Sequence, residues 1–345
     1  MEDLLSINNL TTAFRTYEGE IVAVNDVSLR VKKGEILGIV GESGCGKSVT
    51  SLSIMGLLPP KNSMIKAGKI VFNDVDLTKI SNKEYRKLRG NDLAMIFQEP
   101  MTSLNPVFRI EDQLREAIQN HDKKISKSEC RLRILDILSK VGIPGPENVM
   151  KQYPHQLSGG MRQRIMISMA LANNAKLLIA DEPTTALDVT IQAQILQLLV
   201  KLAQIEGLTI MLITHDLSVV AEVCDRVAVM YSGRFMEKST RDNFFSNPQH
   251  PYSQGLLECI PYIGMGDKQL PFIPGNVMHP SDDKGGCSFA PRCPYVFEKC
   301  TVEVPYMFAL SSEHVVRCWL FSEYELSQED LPVNFDIAQI QEGTY

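Results

Sequence analysis

Residues 41–48 have the composition and spacing of a loop that binds the phosphates of a nucleotide. Their sequence, GESGCGKS, matches the pattern G-x-x-x-x-G-K-S/T at every specified position. Glycines let backbone N–H groups turn inward around phosphate oxygens, because no side chain blocks the approach. Lys47 then contributes a positive charge to the β- and γ-phosphates, and the Ser48 hydroxyl is available to Mg²⁺. The residues that we expect to surround the nucleotide here are Gly41, Glu42, Ser43, Gly44, Cys45, Gly46, Lys47, Ser48 and Val49.

A pair of adjacent carboxylates follows a second apolar segment, KLLIAD, which ends at Asp181. Asp181 is expected at the end of a buried strand, where a carboxylate can hold Mg²⁺ together with phosphate oxygens. Glu182, one residue further on, is expected to polarise the attacking water as a general base. Such a pair is common on its own, but the phosphate loop upstream in the same domain favours a hydrolytic site.

Two more polar residues follow apolar, strand-like segments. His215 comes after LTIMLIT, and Gln98 comes after LAMIF. Residues just past the carboxyl ends of parallel strands lie on the ligand-binding edge of an open α/β sheet. We expect His215 to contact the γ-phosphate, although a structural histidine at a helix start would occupy the same place. Gln98 is expected to coordinate Mg²⁺ or the attacking water, and an ordinary loop glutamine is the alternative.

The order of strand-like and helix-like segments predicts the fold that positions these residues. Apolar strands alternate with helical segments on both sides of a mostly helical section at about residues 99–172. Such alternation is typical of an α/β fold with a mainly parallel sheet, and the helical section is expected as a subdomain beside it. From about residue 241 the pattern breaks and prolines become frequent. We therefore predict one domain over residues 1–240 and a small cysteine-rich domain over residues 241–345.

A further motif connects these elements to a known family. Residues 157–161 read LSGGM, directly before a basic helical segment, with TALD at 185–188 and THD at 214–216. Together with the phosphate loop, Gln98 and the strand ending at Asp181, they resemble the ABC-transporter ATPases over roughly residues 4–238. The resemblance implies a P-loop NTPase with the ABC-type nucleotide-binding domain, using ATP and Mg²⁺.

The resemblance also implies a head-to-tail pair of such domains, with each ATP held between them. Ser158, Gly159 and Gly160 would then act on the partner's nucleotide, from the N-terminus of a helix that favours anions. Asp188 resembles the residue that links the two sites across the pair. An aromatic ring near the start of the chain stacks on adenine in this family, and Phe14 is expected to do so, with Tyr17 as the alternative.

Longer stretches resemble one subgroup, the oligopeptide and dipeptide importer ATPases. They are YPHQLSGGMRQR, NPQHPYSQGLL, GCSFAPRCPY and EPMTSLNP, the last at residues 99–106, where the family receives the permease. Met161, where most family members have Gln, agrees with this subgroup. The resemblance implies two permease subunits, a second related ATPase and a substrate-binding protein as partners. Subgroup members also import nickel, glutathione, opines or oligosaccharides, so these cargoes remain alternatives to peptides.

Four cysteines lie close together near the C-terminus. They are Cys287, Cys293, Cys300 and Cys318, separated by five, six and seventeen residues. Four thiolates can bind a [4Fe–4S] cluster or tetrahedral Zn²⁺, and this spacing alone does not choose between them. Resemblance to importer subunits with a cysteine-ligated cluster favours iron–sulfur. We expect a structural role for the cluster, in a domain too small for a large core; a redox sensor is the alternative.

Composition restricts where the chain works and with what. The chain has 345 residues, 44% of them hydrophobic, and a formal net charge of −6, which gives no reason to expect nucleic-acid binding. No stretch approaches the roughly 18 apolar residues of a membrane span, and the start lacks an export signal. We expect a peripheral protein on the cytoplasmic face of the membrane. A soluble ABC ATPase of DNA repair or translation is the rival class.

Overall fold

The computed structural model describes residues 2–17, 19–98, 103–185, 187–260, 271–278 and 285–327. Its strands form two sheets, and its helices pack around the larger one. The strands are β1 (Asp3–Thr16), β2 (Gly19–Lys32), β3 (Ile36–Val40), β4 (Ser63–Phe72), β5 (Val75–Asp76), β6 (Leu93–Ile96), β7 (Leu177–Asp181), β8 (Thr209–Ile213), β9 (Arg226–Tyr231), β10 (Arg234–Thr240), β11 (Phe308–Ser311) and β12 (His314–Val316). The helices are α1 (Lys47–Met55), α2 (Asn82–Leu88), α3 (Ile110–Gln119), α4 (Lys127–Lys140), α5 (Pro146–Val149), α6 (Gly159–Leu171), α7 (Val189–Glu206), α8 (Leu217–Val223), α9 (Arg241–Ser246), α10 (Pro251–Glu258) and α11 (Glu298–Val302).

The larger sheet positions the residues predicted to do chemistry. Its strand order is β11-β12-β10-β9-β3-β8-β7-β6, and the neighbours from β9 to β6 pair in parallel. All residues of β3, β7 and β8 are buried, as expected for strands covered on both faces. The parallel α/β sheet predicted from the sequence is therefore confirmed.

The smaller sheet is antiparallel, with the order β2-β1-β4-β5. Its apolar face shares a core with one face of the larger sheet, including Leu5, Val27, Ile39 and Met211. The sequence indicated strands in this region, but not that they leave the parallel sheet to form a second one.

The helical section predicted at about residues 99–172 contains α3, α4, α5 and α6. Ser126 caps α4 by accepting a hydrogen bond from the backbone of Glu129, which satisfies a donor that the helix itself leaves free. Ile118, Ile134 and Leu138 are buried together in the core cluster of this section. Residues 99–102, the first part of the predicted permease-contact stretch, lie outside the described residues.

The C-terminal segment, predicted to begin near residue 241, is joined to the main sheet. β12 pairs with β10, so the main sheet continues into residues 308–316. At this junction the buried Glu237 carboxylate binds His314 Nε2 at 2.7 Å and accepts from the His250 backbone at 2.9 Å. Tyr252 and Phe289 belong to the same core as residues of α3, α4, α6 and α7. The break in strand–helix alternation therefore marks a change of local pattern, and the domain limits of 1–240 and 241–345 stay a prediction.

Within the described residues, no helix has both the length and the apolar character needed to cross a membrane.

Candidate active site

The phosphate loop runs from the end of β3 to the start of α1. Gly41 has φ +152°, and a Cβ at this position would lie 2.1 Å from the carbonyl oxygen of Met230 in β9. Only glycine fits against that carbonyl in this conformation. The loop is therefore held tightly against the sheet.

The Lys47 side chain folds back into this loop. Its Nζ donates to the carbonyl oxygens of Gly41 at 2.7 Å and Glu42 at 3.0 Å. The lysine is buried, and so its ammonium lies inside the loop that is expected to receive phosphate. A positive charge enclosed by a glycine-rich loop at a helix start is a suitable site for a phosphate anion.

Ser48 and Asp181 meet beside the loop, as predicted for a Mg²⁺ site. Burial at the end of β7 raises the pKa of Asp181, while a hydrogen bond from the Ser48 hydroxyl and the charge of Lys47 oppose this rise. A hydroxyl and a carboxylate side by side are oxygen ligands of the kind that Mg²⁺ takes alongside phosphate oxygens. The residues present therefore fit the predicted ion.

Three side chains converge on the Glu182 carboxylate. Its Oε1 lies 2.9 Å from His215 Nδ1, and its Oε2 accepts from Gln98 Nε2 at 3.2 Å and from Thr185 Oγ1 at 3.0 Å. Burial favours a higher pKa, but hydrogen bonds from His215, Thr185 and Gln98 outweigh it and lower the pKa of Glu182. The carboxylate is thus ionised at neutral pH and can accept a proton. The structure brings together Gln98, Glu182 and His215 as predicted; Thr185 had been given no role.

The backbone of Glu182 is itself unusual. Its φ is +48°, in the left-handed region that non-glycine residues rarely adopt. A hydrogen bond from its N–H to the carbonyl oxygen of Ile213, at 2.9 Å, holds this conformation at the end of β8. Strained backbone of this kind is concentrated at functional sites.

The LSGG segment forms the start of α6. The Ser158 hydroxyl caps the helix by accepting from the Met161 backbone at 3.3 Å. A Cβ at Gly160 would lie 2.7 Å from Ile191 Cγ2, so the glycine permits close packing against α7. Buried Gln163 also donates to the Pro183 carbonyl oxygen at 2.6 Å. This bond ties α6 to the loop that carries Glu182, a link that the sequence did not reveal.

Asp188 and Ser158 make their described hydrogen bonds within their own helices. Asp188 caps α7 by accepting from the Ile191 backbone at 2.9 Å. Among the described residues, neither side chain is hydrogen-bonded to the phosphate loop of its own chain. Both residues lie at the starts of helices.

The two aromatic candidates for adenine stacking both lie at one end of β1. Phe14 is half-buried and pairs in register with Ile21 of β2. Tyr17 follows the end of β1, and its side chain is fully exposed. β2 reaches the phosphate loop, because a Cβ at Gly46 would lie 2.7 Å from the carbonyl oxygen of Ala23.

Two residues from the C-terminal segment also contact the phosphate loop. The Tyr252 hydroxyl accepts a hydrogen bond from the Glu42 backbone at 3.0 Å. Arg292 Nη1 lies 2.9 Å from Glu42 Oε1. The sequence gave no chemical role to either residue, although both occur in stretches that resembled peptide importers.

The four C-terminal cysteines line a single small cavity. Phe289 and Trp319 are also part of its wall, and its volume is about 10 Å³, which is room for one water molecule. Burial raises the pKa of Cys287 to about 11 and that of Cys318 to about 12. The Cys287 and Cys318 thiols are therefore protonated at neutral pH in this conformation.

The predicted metal centre is not confirmed. Among the residues that the structure covers, no group of three or more His, Cys, Asp or Glu side chains has the geometry of a metal site. The cavity that the four thiols line has mainly apolar walls. Thiolates are nonetheless the type of ligand that soft metals prefer, and four cysteines from separate segments line this one cavity.

Comparison with known protein families gives two matches along the chain. Residues 24–185 match the profile described as ABC transporter. Residues 236–300 match the profile of the C-terminal region of oligopeptide/dipeptide transporters. The second match covers most of β10, all of α9 and α10, and three of the four clustered cysteines, Cys287, Cys293 and Cys300.

Relatives of similar length support the same grouping. The dipeptide transport ATP-binding protein DppD of Bacillus subtilis strain 168 is 52% identical over 320 residues, covering 93% of this chain and 95% of that protein. The oligopeptide transport ATP-binding protein AppD of the same organism is 50% identical over 323 residues, covering 94% and 98%. Among solved structures, the dimeric ATP-binding cassette MJ0796 in a post-hydrolysis state with ADP and phosphate is 30% identical, with a TM-score of 0.61. The match covers 69% of this chain and 98% of the MJ0796 chain.

Proposed function

The chain belongs to the ABC transporter ATP-binding family, and we infer that it is the ATP-hydrolysing subunit of a peptide importer. The observation that carries this inference is the phosphate loop beside Glu182, whose carboxylate is oriented by His215, Gln98 and Thr185. The relatives named for dipeptide and oligopeptide transport, at about half identity over nearly the whole chain, support the cargo class.

We propose the following roles on the phosphate side. Lys47 and the backbone of the loop bind the β- and γ-phosphates, which the buried position of the Lys47 ammonium supports. Ser48, Asp181 and Gln98 would hold Mg²⁺, which neutralises charge on the phosphate oxygens when bound. Phe14 is proposed to stack on adenine, with Tyr17 as the second candidate.

Hydrolysis is proposed to begin with a water between Glu182 and the γ-phosphorus. The ionised Glu182 carboxylate accepts a proton from this water as its oxygen attacks, and the bond from the γ-phosphorus to the bridging oxygen breaks. His215 and Gln98 hold the carboxylate in place, and His215 is proposed to contact the γ-phosphate with its other ring nitrogen. The products are ADP and phosphate.

We further propose that two ATP-binding subunits pair head to tail. Ser158, Gly159, Gly160 and Asp188 would then face the partner's nucleotide, which the position of Ser158 and Asp188 as helix N-caps supports. The dimeric cassette MJ0796 supplies a precedent for pairing. The partner is proposed to be a different but related subunit. Native mass spectrometry of the assembled complex would identify it, and two identical copies would contradict this proposal.

The remaining partners follow from the importer assignment. We propose two transmembrane permease subunits and a substrate-binding protein, with this chain peripheral on the cytoplasmic face of the membrane. We propose that the chain consists of two domains, residues 1–240 and 241–345. The separate profile match at residues 236–300 supports this division.

We propose that Cys287, Cys293, Cys300 and Cys318 hold a [4Fe–4S] cluster, with Zn²⁺ as the alternative. Convergence of four thiols on one cavity supports a metal group of this kind. Anaerobically purified protein is expected to contain about four iron and four acid-labile sulfide per chain. Cys318→Ser should lose them, while Cys259→Ser, outside the cavity, should retain them. Absence of iron, sulfide and zinc in the wild-type protein would refute the proposal.

Transport itself is tested with proteoliposomes that contain the assembled complex. ATP is supplied on the side of this subunit, and a radiolabelled tripeptide with the binding protein on the other. Uptake is expected with the wild-type chain and is expected to vanish with Lys47→Ala. Equal uptake by the two proteins would contradict the proposed role.

A further inference from the structure

The first residues of the phosphate loop are held from outside the ATPase core. The Glu42 N–H donates to the Tyr252 hydroxyl at 3.0 Å, and the Glu42 carboxylate is bound by Arg292 Nη1 at 2.9 and 3.1 Å. Both partners come from the C-terminal segment, more than 200 residues away in sequence. One loop residue is thus fixed at its backbone and at its side chain by the same segment.

Both partners are themselves rigidly placed. The fully buried Tyr252 ring packs against Tyr231 and Phe289, with ring centroids 4.7 Å and 5.3 Å apart. The Arg292 side chain is 5% exposed, and it also donates to the carbonyl oxygens of Ile273 and Pro274 at 3.1 Å and 3.0 Å. A guanidinium bound on three sides cannot move without breaking several hydrogen bonds at once.

Lys47 also supports this part of the loop, and a bound nucleotide would disturb this support. Lys47 Nζ donates to the carbonyl oxygens of Gly41 and Glu42, and the same ammonium is the group proposed to bind phosphate. When the ammonium turns to phosphate, its bonds to the loop weaken. Tyr252 and Arg292 then remain to keep the loop in shape.

We propose that Tyr252 and Arg292 are positioning residues, which hold the phosphate loop ready for nucleotide through Glu42. Without them the loop must be ordered during binding, and this cost appears as weaker nucleotide affinity. The inference rests on the proposed role of the loop in binding ATP. It adds that the C-terminal segment of this chain sets the strength of that binding.

The test compares nucleotide affinity with catalytic rate. Tyr252→Phe keeps the ring and removes only the acceptor of the Glu42 N–H. We expect the Kd for a fluorescent ATP analogue with Mg²⁺ to rise about 3- to 10-fold, the size expected for one hydrogen bond. The kcat of the assembled complex at saturating ATP should stay within about twofold, because the groups around Glu182 are untouched.

Tyr85→Phe is the matched control. It removes another buried tyrosine hydroxyl, which lies 3.4 Å from the Ile54 carbonyl oxygen near the end of α1. Its Kd should equal that of the wild-type protein, even if both variants lose similar thermal stability. An unchanged Kd in Tyr252→Phe, or an equal rise in Tyr85→Phe, would overturn the positioning role.

A double-mutant cycle tests the second contact. Arg292→Lys and Glu42→Gln should each raise the Kd, and the double variant should raise it by less than the product of the two effects. Additive effects would overturn the Arg292 part of the proposal.

Lys47→Ala distinguishes a failure of the proposed ATP-binding role of the loop from a failure of the positioning role of Tyr252 and Arg292. If it leaves nucleotide binding intact, the loop assignment fails; if it abolishes binding while Tyr252→Phe has no effect, only the positioning role fails.

Discussion

Replacing Glu182 with glutamine should separate ATP binding from hydrolysis. The glutamine amide has the shape of the carboxylate, and its oxygen can still accept from Gln98 and Thr185. Its NH₂ group can donate to Nδ1 of His215, provided that the imidazole carries its proton on Nε2. The local structure and the phosphate loop should therefore persist in Glu182→Gln, and ATP affinity should stay within about threefold.

The rate of hydrolysis should fall because the amide cannot accept a proton. Loss of a general base costs about 100- to 10,000-fold, or ~3 to 5 kcal/mol of barrier. Single-turnover hydrolysis of radiolabelled ATP by the assembled complex measures this step directly. Glu222→Gln on α8 exchanges an exposed carboxylate in the same way and should leave the rate unchanged. A Glu182→Gln rate within threefold of the wild-type rate would refute the base assignment.

Two further predictions concern acid stability and the loop. Burial lowers the pKa of His250 to about 4, although the charge of Glu237 opposes this. The unfolded chain, with a His250 pKa of about 6.5, takes up a proton in the range where the folded chain keeps the imidazole neutral. The contribution to stability is therefore complete above pH 6.5, and about 2 kcal/mol of unfolding free energy should be lost by pH 5. Chemical denaturation at a series of pH values should show this loss. If the unfolding free energy of His250→Gln falls with pH as steeply as that of the wild-type protein, the prediction is contradicted. Gly41→Ala, whose Cβ would meet Met230, should abolish nucleotide binding in a calorimetric titration. A Cβ at Gly44, whose φ of +79° is also in the left-handed region, would meet no atom within 4 Å, so Gly44→Ala should retain more nucleotide binding than Gly41→Ala; equal binding by both would contradict the packing argument.

The chemistry around the nucleotide was predictable because it depends on short local patterns. The glycine spacing of residues 41–48 specifies a loop, and apolar strands before Gln98, Glu182 and His215 place all three at one sheet edge. The structure adds what those patterns leave out, namely that the three side chains bond to one another through Glu182.

The contacts made by the C-terminal segment could not be predicted in the same way. Tyr252 and Arg292 reach Glu42 across more than 200 residues, and no local periodicity records such a contact. The link between this segment and the main sheet was missed because β12 is only three residues long, too short to display the alternation of a strand. Its pairing with β10 nevertheless joins the segment to the main sheet.

The central claim is that this chain couples ATP hydrolysis to peptide import. Its most direct test is the ATPase rate of the complex reconstituted with its permeases, as binding protein and a panel of solutes are added. The account predicts stimulation by short peptides, and loss of that stimulation in Glu182→Gln. Stimulation only by nickel chelates, glutathione, opines or oligosaccharides would contradict the peptide assignment and retain the ATPase. A rate that no solute and no permease changes would contradict coupling to transport itself.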